Sequence, residues 1–200
     1  MPKLYPGYRE EIRKKIVDEA FTVFMEKGFE KTTMDDIAAR LGVTKPAIYR
    51  YYKNKEELFL SSVTESMAAE FRKIFEISFT HGDLMTGAGR FFDELLAFDR
   101  KYAAIRRDMD GITARNPETD EGISRIHMDG MELMSQFLRE HKKKGTIHST
   151  IDDTALTIML SALAHGLTSN VGYGLKGEDA KKLWLAGMGK ILEIRDNVKK

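Results

Sequence analysis

Apolar residues recur every three to four positions along most of the chain, and strand-like alternation is nearly absent, so the pattern predicts helices almost throughout. In the first segment Ile12, Ile16, Ala20 and Phe24 share a face that Val17 and Phe21 widen. Gly28 is placed to stop this helix and Phe29 to fold back onto it. Thr33 and Asp36 then form a short-acid capping box that opens a helix through Leu41, with Ile37, Ala38 and Leu41 on its inner face. Gly42 permits a tight turn, Thr44 is a good N-cap, and Pro46 is tolerated in a first turn, which predicts a second short helix from about Lys45 to Tyr51. Helix, three-residue turn with Gly, helix is the helix-turn-helix arrangement.

Further along, Asn54 caps a longer helix with Glu57 at its third position, and Leu58, Phe59, Val63, Met67, Phe71, Ile74 and Phe75 give it an apolar face. The stretch "THGDLMTGAG" reads as a loop, and a helix with Phe91, Phe92, Leu95, Leu96, Phe98 and Tyr102 follows. "ARNPETDEG" is the next break. Another helix carries Ile123, His127, Met131, Met134, Phe137 and Leu138, and ends at the basic run His141 to Lys144, where cations suit the negative helix end. Residues 153 to 171 are apolar on most sides and predict a helix buried on several faces. "GYGLKGED" is a loop, and the last helix carries Leu183, Trp184, Gly187, Met188, Ile191, Leu192 and Ile194. The expected fold is all-α: an N-terminal helix-turn-helix domain over residues 1–55, then a larger helical domain over residues 56–200.

Composition changes this picture little. The 200 residues are 42% hydrophobic and 32% charged, ample for a core beneath a soluble surface. Without cysteine there is no disulfide framework and no thiolate ligand or nucleophile. The N-terminus lacks the apolar region of a signal peptide, and "ALTIMLSALAHGL" is too short to span a bilayer, so the expected location is cytoplasmic, on the nucleoid, with no membrane partner. Charge is uneven: residues 1–55 hold 12 Lys and Arg against 8 Asp and Glu, while the whole chain nets only +1. A basic N-terminal part on an acidic body points to an anionic partner at that end.

The short helix supplies the candidate chemistry. "AIYRYYKNK" sets three tyrosines and three cations in nine residues. The second helix of a helix-turn-helix enters the major groove and its N-terminal part meets base edges, while the first helix crosses the phosphate backbone. Thr33, Thr44, Lys45, Ala47, Tyr49, Arg50, Tyr51 and Lys55 are therefore the expected contacts to double-stranded DNA. Ile48 and Tyr52 are expected to point into the small core instead.

Residues 9 to 59 closely resemble the DNA-binding domain of the TetR/AcrR family of transcriptional regulators. The likeness runs through Phe24, Gly28 and Phe29, Thr32 and Thr33, Asp36 to Ala38, Gly42 and Val43, Lys45, Tyr49, Tyr51 and Tyr52, Lys55 and Leu58. Pro46 departs from the small residue usual after the lysine. The resemblance implies a homodimer whose two most C-terminal long helices pair with their mates, and an effector-binding helical domain above the DNA-binding head. The apolar segment 153–171 is independently suited to an interface.

Seven of the 11 methionines follow residue 80, and methionine suits adaptable apolar pockets. Phe92, Leu96, His127, Met131, Met134, Met159 and Leu163 are the expected lining of a site for a small apolar or amphipathic effector, although the same stripe also fits an ordinary helical core. The five histidines show no i, i+4 pair, so no metal and no cofactor is expected. No phosphate loop, nucleophile elbow, zinc motif or dinucleotide fingerprint occurs, so no catalytic residue is expected and the chain does not read as an enzyme. The reading is a ligand-responsive regulator, a homodimeric repressor released from a pseudo-palindromic operator. The alternative is a DNA-bound adaptor that recruits a protein without any small effector.

Overall fold

The computed structural model describes residues 7–115 and 120–194, with the side chains of 120–127 and 129 outside the described set. Eight helices lie among the described residues: α1 (Tyr8–Lys27), α2 (Met34–Leu41), α3 (Lys45–Tyr49), α4 (Lys55–Phe79), α5 (Leu84–Arg115), α6 (Asp120–Lys143), α7 (Asp153–Gly172) and α8 (Gly177–Ile191). The all-α expectation is met. None of these helices is long and apolar enough to cross a membrane. Two compact units form: one comprises Met1–Glu70 with Tyr102–Ile126, the other Phe71–Lys101 with His127–Lys200. The expected division after residue 55 falls at the start of α4, whereas the first compact unit runs on to Glu70 and takes in Tyr102–Ile126.

In the first unit α1 stops as its pattern predicts. Gly28 has φ 77° and its N–H donates to the Phe24 carbonyl at 2.8 Å, so the chain reverses and Phe29 packs back. Phe59 of α4 meets both rings, with centroids 4.9 Å from Phe24 edge-on and 4.9 Å from Phe29. Such aromatic pairs contribute about 0.5–1.5 kcal/mol each beyond their buried area. The capping box at α2 is complete. Thr33 Oγ1 accepts from the Asp36 N–H at 3.1 Å, and Asp36 Oδ2 accepts from the Thr33 N–H at 2.8 Å. Gly42 sits at φ 65°, the left-handed conformation that the turn requires.

Helix α3 is two residues shorter than the spacing predicts. The Ile48 carbonyl takes the N–H groups of both Tyr51 and Tyr52, at 2.9 and 3.2 Å, which tightens the chain and turns Tyr52 inward. Asn54 then starts α4 directly: its Oδ1 accepts from the Glu57 N–H at 2.8 Å, while Glu57 accepts from the Lys53 N–H at 2.7 Å.

In the second unit the stretch read as a loop is half helix. Asp83 caps α5 by accepting from the N–H groups of Met85 and Thr86, at 3.0 and 2.9 Å. Gly87 then serves close packing rather than a turn, because a Cβ there would lie 2.6 Å from the Phe79 ring. Trp184 of α8 donates its Nε1–H to the Ala88 carbonyl at 2.9 Å and stacks on Phe92, with centroids 5.8 Å apart. Helix α8 ends at Ile191, short of the expected Ile194. The chain there reverses through Glu193 at φ 52°, and the Leu192 carbonyl accepts from His148 and Ser149. Of the break expected at 114–122, residues 116–119 lie outside the described set.

Candidate functional site

The helix-turn-helix sets α3 against α2 through Ile48, which is fully buried with Ile37, Ala38 and Leu58. Anchoring Ile48 leaves the neighbouring positions of so short a helix outward. Tyr49 is 44% exposed and Arg50 is exposed. Thr44 occupies the N-cap position of α3 but makes no side-chain capping bond, and Ala47 is half-buried. Tyr51 is half-buried against the core with the Arg9 guanidinium 5.9 Å from its ring, so it serves packing as well as any outward contact. Tyr52 is 3% exposed, as expected of a core residue. Its hydroxyl has no hydrogen-bond partner among the described residues, and burial pushes its pKa up to about 12, against the opposing pull of Arg13.

Several candidate groups already have intramolecular partners. Lys45 Nζ lies 2.9 Å from Asp35 Oδ2, and that hydrogen bond raises the lysine pKa. The pattern does not single out Asp35, which lies in the first turn of α2, ten residues before Lys45. Thr33 spends both its N–H and its hydroxyl on Asp36, at 2.8 and 2.7 Å. Lys27 Nζ closes the same cluster at 2.6 Å from Asp36 Oδ1. Lys27 first, then Thr33, hold the Asp36 carboxyl well below the usual carboxylate range.

Lys55 is placed differently from a simple surface cation. Its ammonium donates to the carbonyls of Phe29 and Thr32, at 2.8 and 3.0 Å, and lies 4.2 Å from the Phe29 ring centroid. Two of its three N–H donors are thus held by the α1–α2 turn.

The expected effector residues do not converge on one cavity. Phe92 and Leu96 are buried in α5, and Phe92 is covered by Trp184. Leu163 of α7 packs against Gly187 of α8. Met159 is exposed, Met131 is half-buried, and the side chain of His127 lies outside the described set. Met134 borders a space of only about 20 Å³ among Phe75, Phe91, Phe137 and Trp184, room for roughly one water. A larger opening, about 360 Å³, lies between α4 and α6 and is lined by Phe75, Phe79, Phe137, Glu76, Glu140 and His141 among others. Sequence reasoning did not select these residues as a group. Their signal is the i, i+4 spacing of Phe75 with Phe79 and of Phe137 with His141, which puts each pair on one helix face. Among the described residues no group of three or more His, Asp or Glu is placed to hold a metal.

The short α3 braced on α2, ahead of a larger set of helices, defines a helix-turn-helix protein of all-α architecture. A family model for bacterial regulatory proteins of the tetR family matches residues 16–61. Over 52 residues the chain is 44% identical to IcaR of Staphylococcus epidermidis, the negative transcriptional regulator of the biofilm operon icaADBC. That match covers 26% of this chain and spans 28% of the relative's length. The fold is also similar to a Mesorhizobium loti protein assigned to the TetR family, with a TM-score of 0.72 over 92% of this chain and 96% of that one at 16% identity. A flavonoid-responsive regulator, FrrA, is similar with a TM-score of 0.66 over 92% and 96% of the two chains at 22% identity. Over residues 16–61 the chain is thus similar to the tetR family of bacterial regulatory proteins, and its fold is similar to solved structures assigned to that family.

Proposed function

We propose that the protein is a homodimeric repressor that binds a pseudo-palindromic operator through α3 and leaves it when a small apolar or amphipathic effector binds the second unit. The observation that carries the reading is the short α3, whose buried Ile48 orients Tyr49, Arg50 and the paired Lys45 outward. The matched relative IcaR is a negative regulator, which favours repression.

The dimer rests on the outer face of α7 and α8. Ile158 is 54% and Leu183 52% exposed, and Met159 and Ala162 are exposed nearby, an apolar surface suited to a second copy. The effector reading is favoured over a protein-recruiting adaptor by the open cleft of about 360 Å³ between α4 and α6. Helix α4 is continuous from Lys55 to Phe79, so it joins the α3 turn to that cleft along one chain segment. Effector binding that displaces α4 alters the spacing of two recognition helices in a dimer, and the rigid duplex then meets only one of them. Coupling of this kind is about 1–3 kcal/mol, roughly a 5- to 150-fold loss of operator affinity.

Selection of bound sites from random duplexes tests the whole reading. A symmetric consensus with half-sites about one helical turn or more apart is expected. Sedimentation of wild type and Ala162→Glu tests the interface, the variant giving monomers with much weaker operator binding. A stable wild-type monomer at micromolar concentration, or selection of no consensus, overturns the proposal.

A further inference from the structure

The cleft between α4 and α6 has a chemistry of its own. Its floor is aromatic: Phe137 lies 4.6 Å from Phe79 and 5.2 Å from Phe75 by ring centroid, and the His141 ring is 4.0 Å from Phe137. Its polar rim is rich in acceptors. Glu76 and Glu140, both exposed, line it from opposite helices. His141 Nδ1 is 3.0 Å from the Phe137 carbonyl, which only an N–H satisfies, so a neutral ring keeps Nε2 as an acceptor. Gln136 donates its amide to Glu132 at 3.0 Å, leaving its carbonyl oxygen. Lys144 is the one cationic side chain among the cleft residues and offsets one of the two carboxylates. A ligand that suits this cleft therefore supplies donors and positive charge, and presents a flat apolar body to the rings.

We infer that the α4–α6 cleft is a binding site for organic cations with a planar aromatic body, held by stacking and cation–π contact with Phe79 and Phe137 and by the carboxylates of Glu76 and Glu140. The volume of about 360 Å³ suits a ligand of a few fused rings. This deepens the effector reading above, on which its regulatory meaning rests, while the binding site itself stands on the cleft alone. The acceptor-rich rim sets the selectivity: an anion of equal size meets two carboxylates and a single lysine, and is disfavoured.

Titration of the purified full chain with rhodamine 6G, a planar cation, and with fluorescein, its anionic counterpart, tests the site by fluorescence anisotropy. Rhodamine 6G is expected to bind at least about tenfold more tightly. Each of Glu76→Gln and Glu140→Gln, isosteric changes at exposed positions, is expected to weaken it up to about fivefold, with the double variant weaker still. Lys144→Gln is expected to strengthen it by a similar factor. Equal affinity for the two dyes, no dye binding, or a double variant that binds rhodamine 6G like wild type overturns the site. Repeating the titration with saturating operator separates the two readings. Weaker dye binding on the operator supports a cation effector by reciprocity. Unchanged dye binding leaves the cation site standing and overturns its role as the effector site.

Discussion

The carboxylate of Asp108, in α5, accepts a hydrogen bond from the backbone N–H of Phe29 at 3.0 Å, across 79 residues of sequence. Phe29 opens the turn between α1 and α2, and its carbonyl is held in turn by Lys55 of α4. The turn that supports the helix-turn-helix is thus gripped by two later helices, from its amide side and from its carbonyl side. Asp108→Ala leaves the part-buried Phe29 N–H unpaired and is expected to cost about 1–3 kcal/mol in urea unfolding. Asp108→Asn keeps an acceptor and is expected to cost less. Equal losses in the two variants would show that the carboxylate contributes by charge or packing and not by this hydrogen bond.

Lys55 and Lys53 are expected to separate structural from DNA-directed charge. Lys55 donates to two carbonyls and Lys53 is exposed. Lys55→Ala is expected to lower stability by about 1–3 kcal/mol, because it removes charge-assisted hydrogen bonds, and also to flatten the log-affinity against log-salt slope by about one. Lys53→Ala is expected to flatten that slope with unaltered stability. If Lys55→Ala destabilises the fold and leaves the slope as in wild type, the ammonium serves the α1–α2 turn alone.

Asp36 makes the head acid-sensitive. Its folded pKa is depressed, by Lys27 first and then by Thr33, so its contribution is present in full above the unfolded value of about 4. That contribution is lost as pH falls from there towards the folded value. Wild type and Asp36→Ala are therefore expected to differ most in thermal midpoint at neutral pH and to converge below about pH 4. A difference that stays constant down to pH 2 would assign the effect of the substitution to helix propensity alone.

Local chemistry made much of this fold legible. The Thr33–Asp36 box, the Asn54 cap and the Gly42 turn are each written within a few residues, and all three form. Ile48 and Tyr52 were legible as core because the helical period puts them on the face of Ile37 and Leu58. Distant partners were not legible. Nothing near Phe29 announces Asp108, and nothing near Lys45 requires Asp35 as its partner. The apolar stripe after residue 80 identified core without identifying a cavity, because core and pocket share one periodicity. The cleft found between α4 and α6 depends on which two helix faces fail to close, a property of packing rather than of either helix.

The glycines of "THGDLMTGAG" misled the pattern for a related reason: glycine marks turns, and it also marks close approach. A Cβ at Gly87 would sit 2.6 Å from the Phe79 ring and 3.0 Å from the Ser78 carbonyl oxygen. At Gly187 the nearest atom, at 2.7 Å, is the flexible end of Leu163. Gly87→Ala is expected to destabilise by about 1–3 kcal/mol through overpacking against the Phe79 ring and the Ser78 carbonyl. Gly187→Ala is expected to cost less, since a rotamer change of Leu163 relieves it and alanine favours the helix. Paired urea melts check this, and the reverse order would place the tighter packing between α7 and α8.

The pair formed by Lys45 and Asp35 gives the sharpest test of how α3 engages DNA. Both side chains are well exposed, so at 2.9 Å the pair is screened by water and easily exchanged for another acceptor. In the free protein Asp35 occupies the ammonium, and under the proposed function a phosphate or base acceptor of the operator competes for it. Lys45→Ala is expected to weaken binding to the selected operator by roughly 5- to 150-fold. Asp35→Asn removes the competitor and a negative charge near the duplex, and is expected to strengthen binding by up to about fivefold. The two changes are coupled if Asp35 acts through Lys45. In the Lys45→Ala background the benefit of Asp35→Asn should then shrink to the residual long-range charge effect, which high salt suppresses. A gain from Asp35→Asn that is equal with and without Lys45, at both low and high salt, would mean that Asp35 is not holding the lysine back, and that Lys45 meets DNA without leaving its partner.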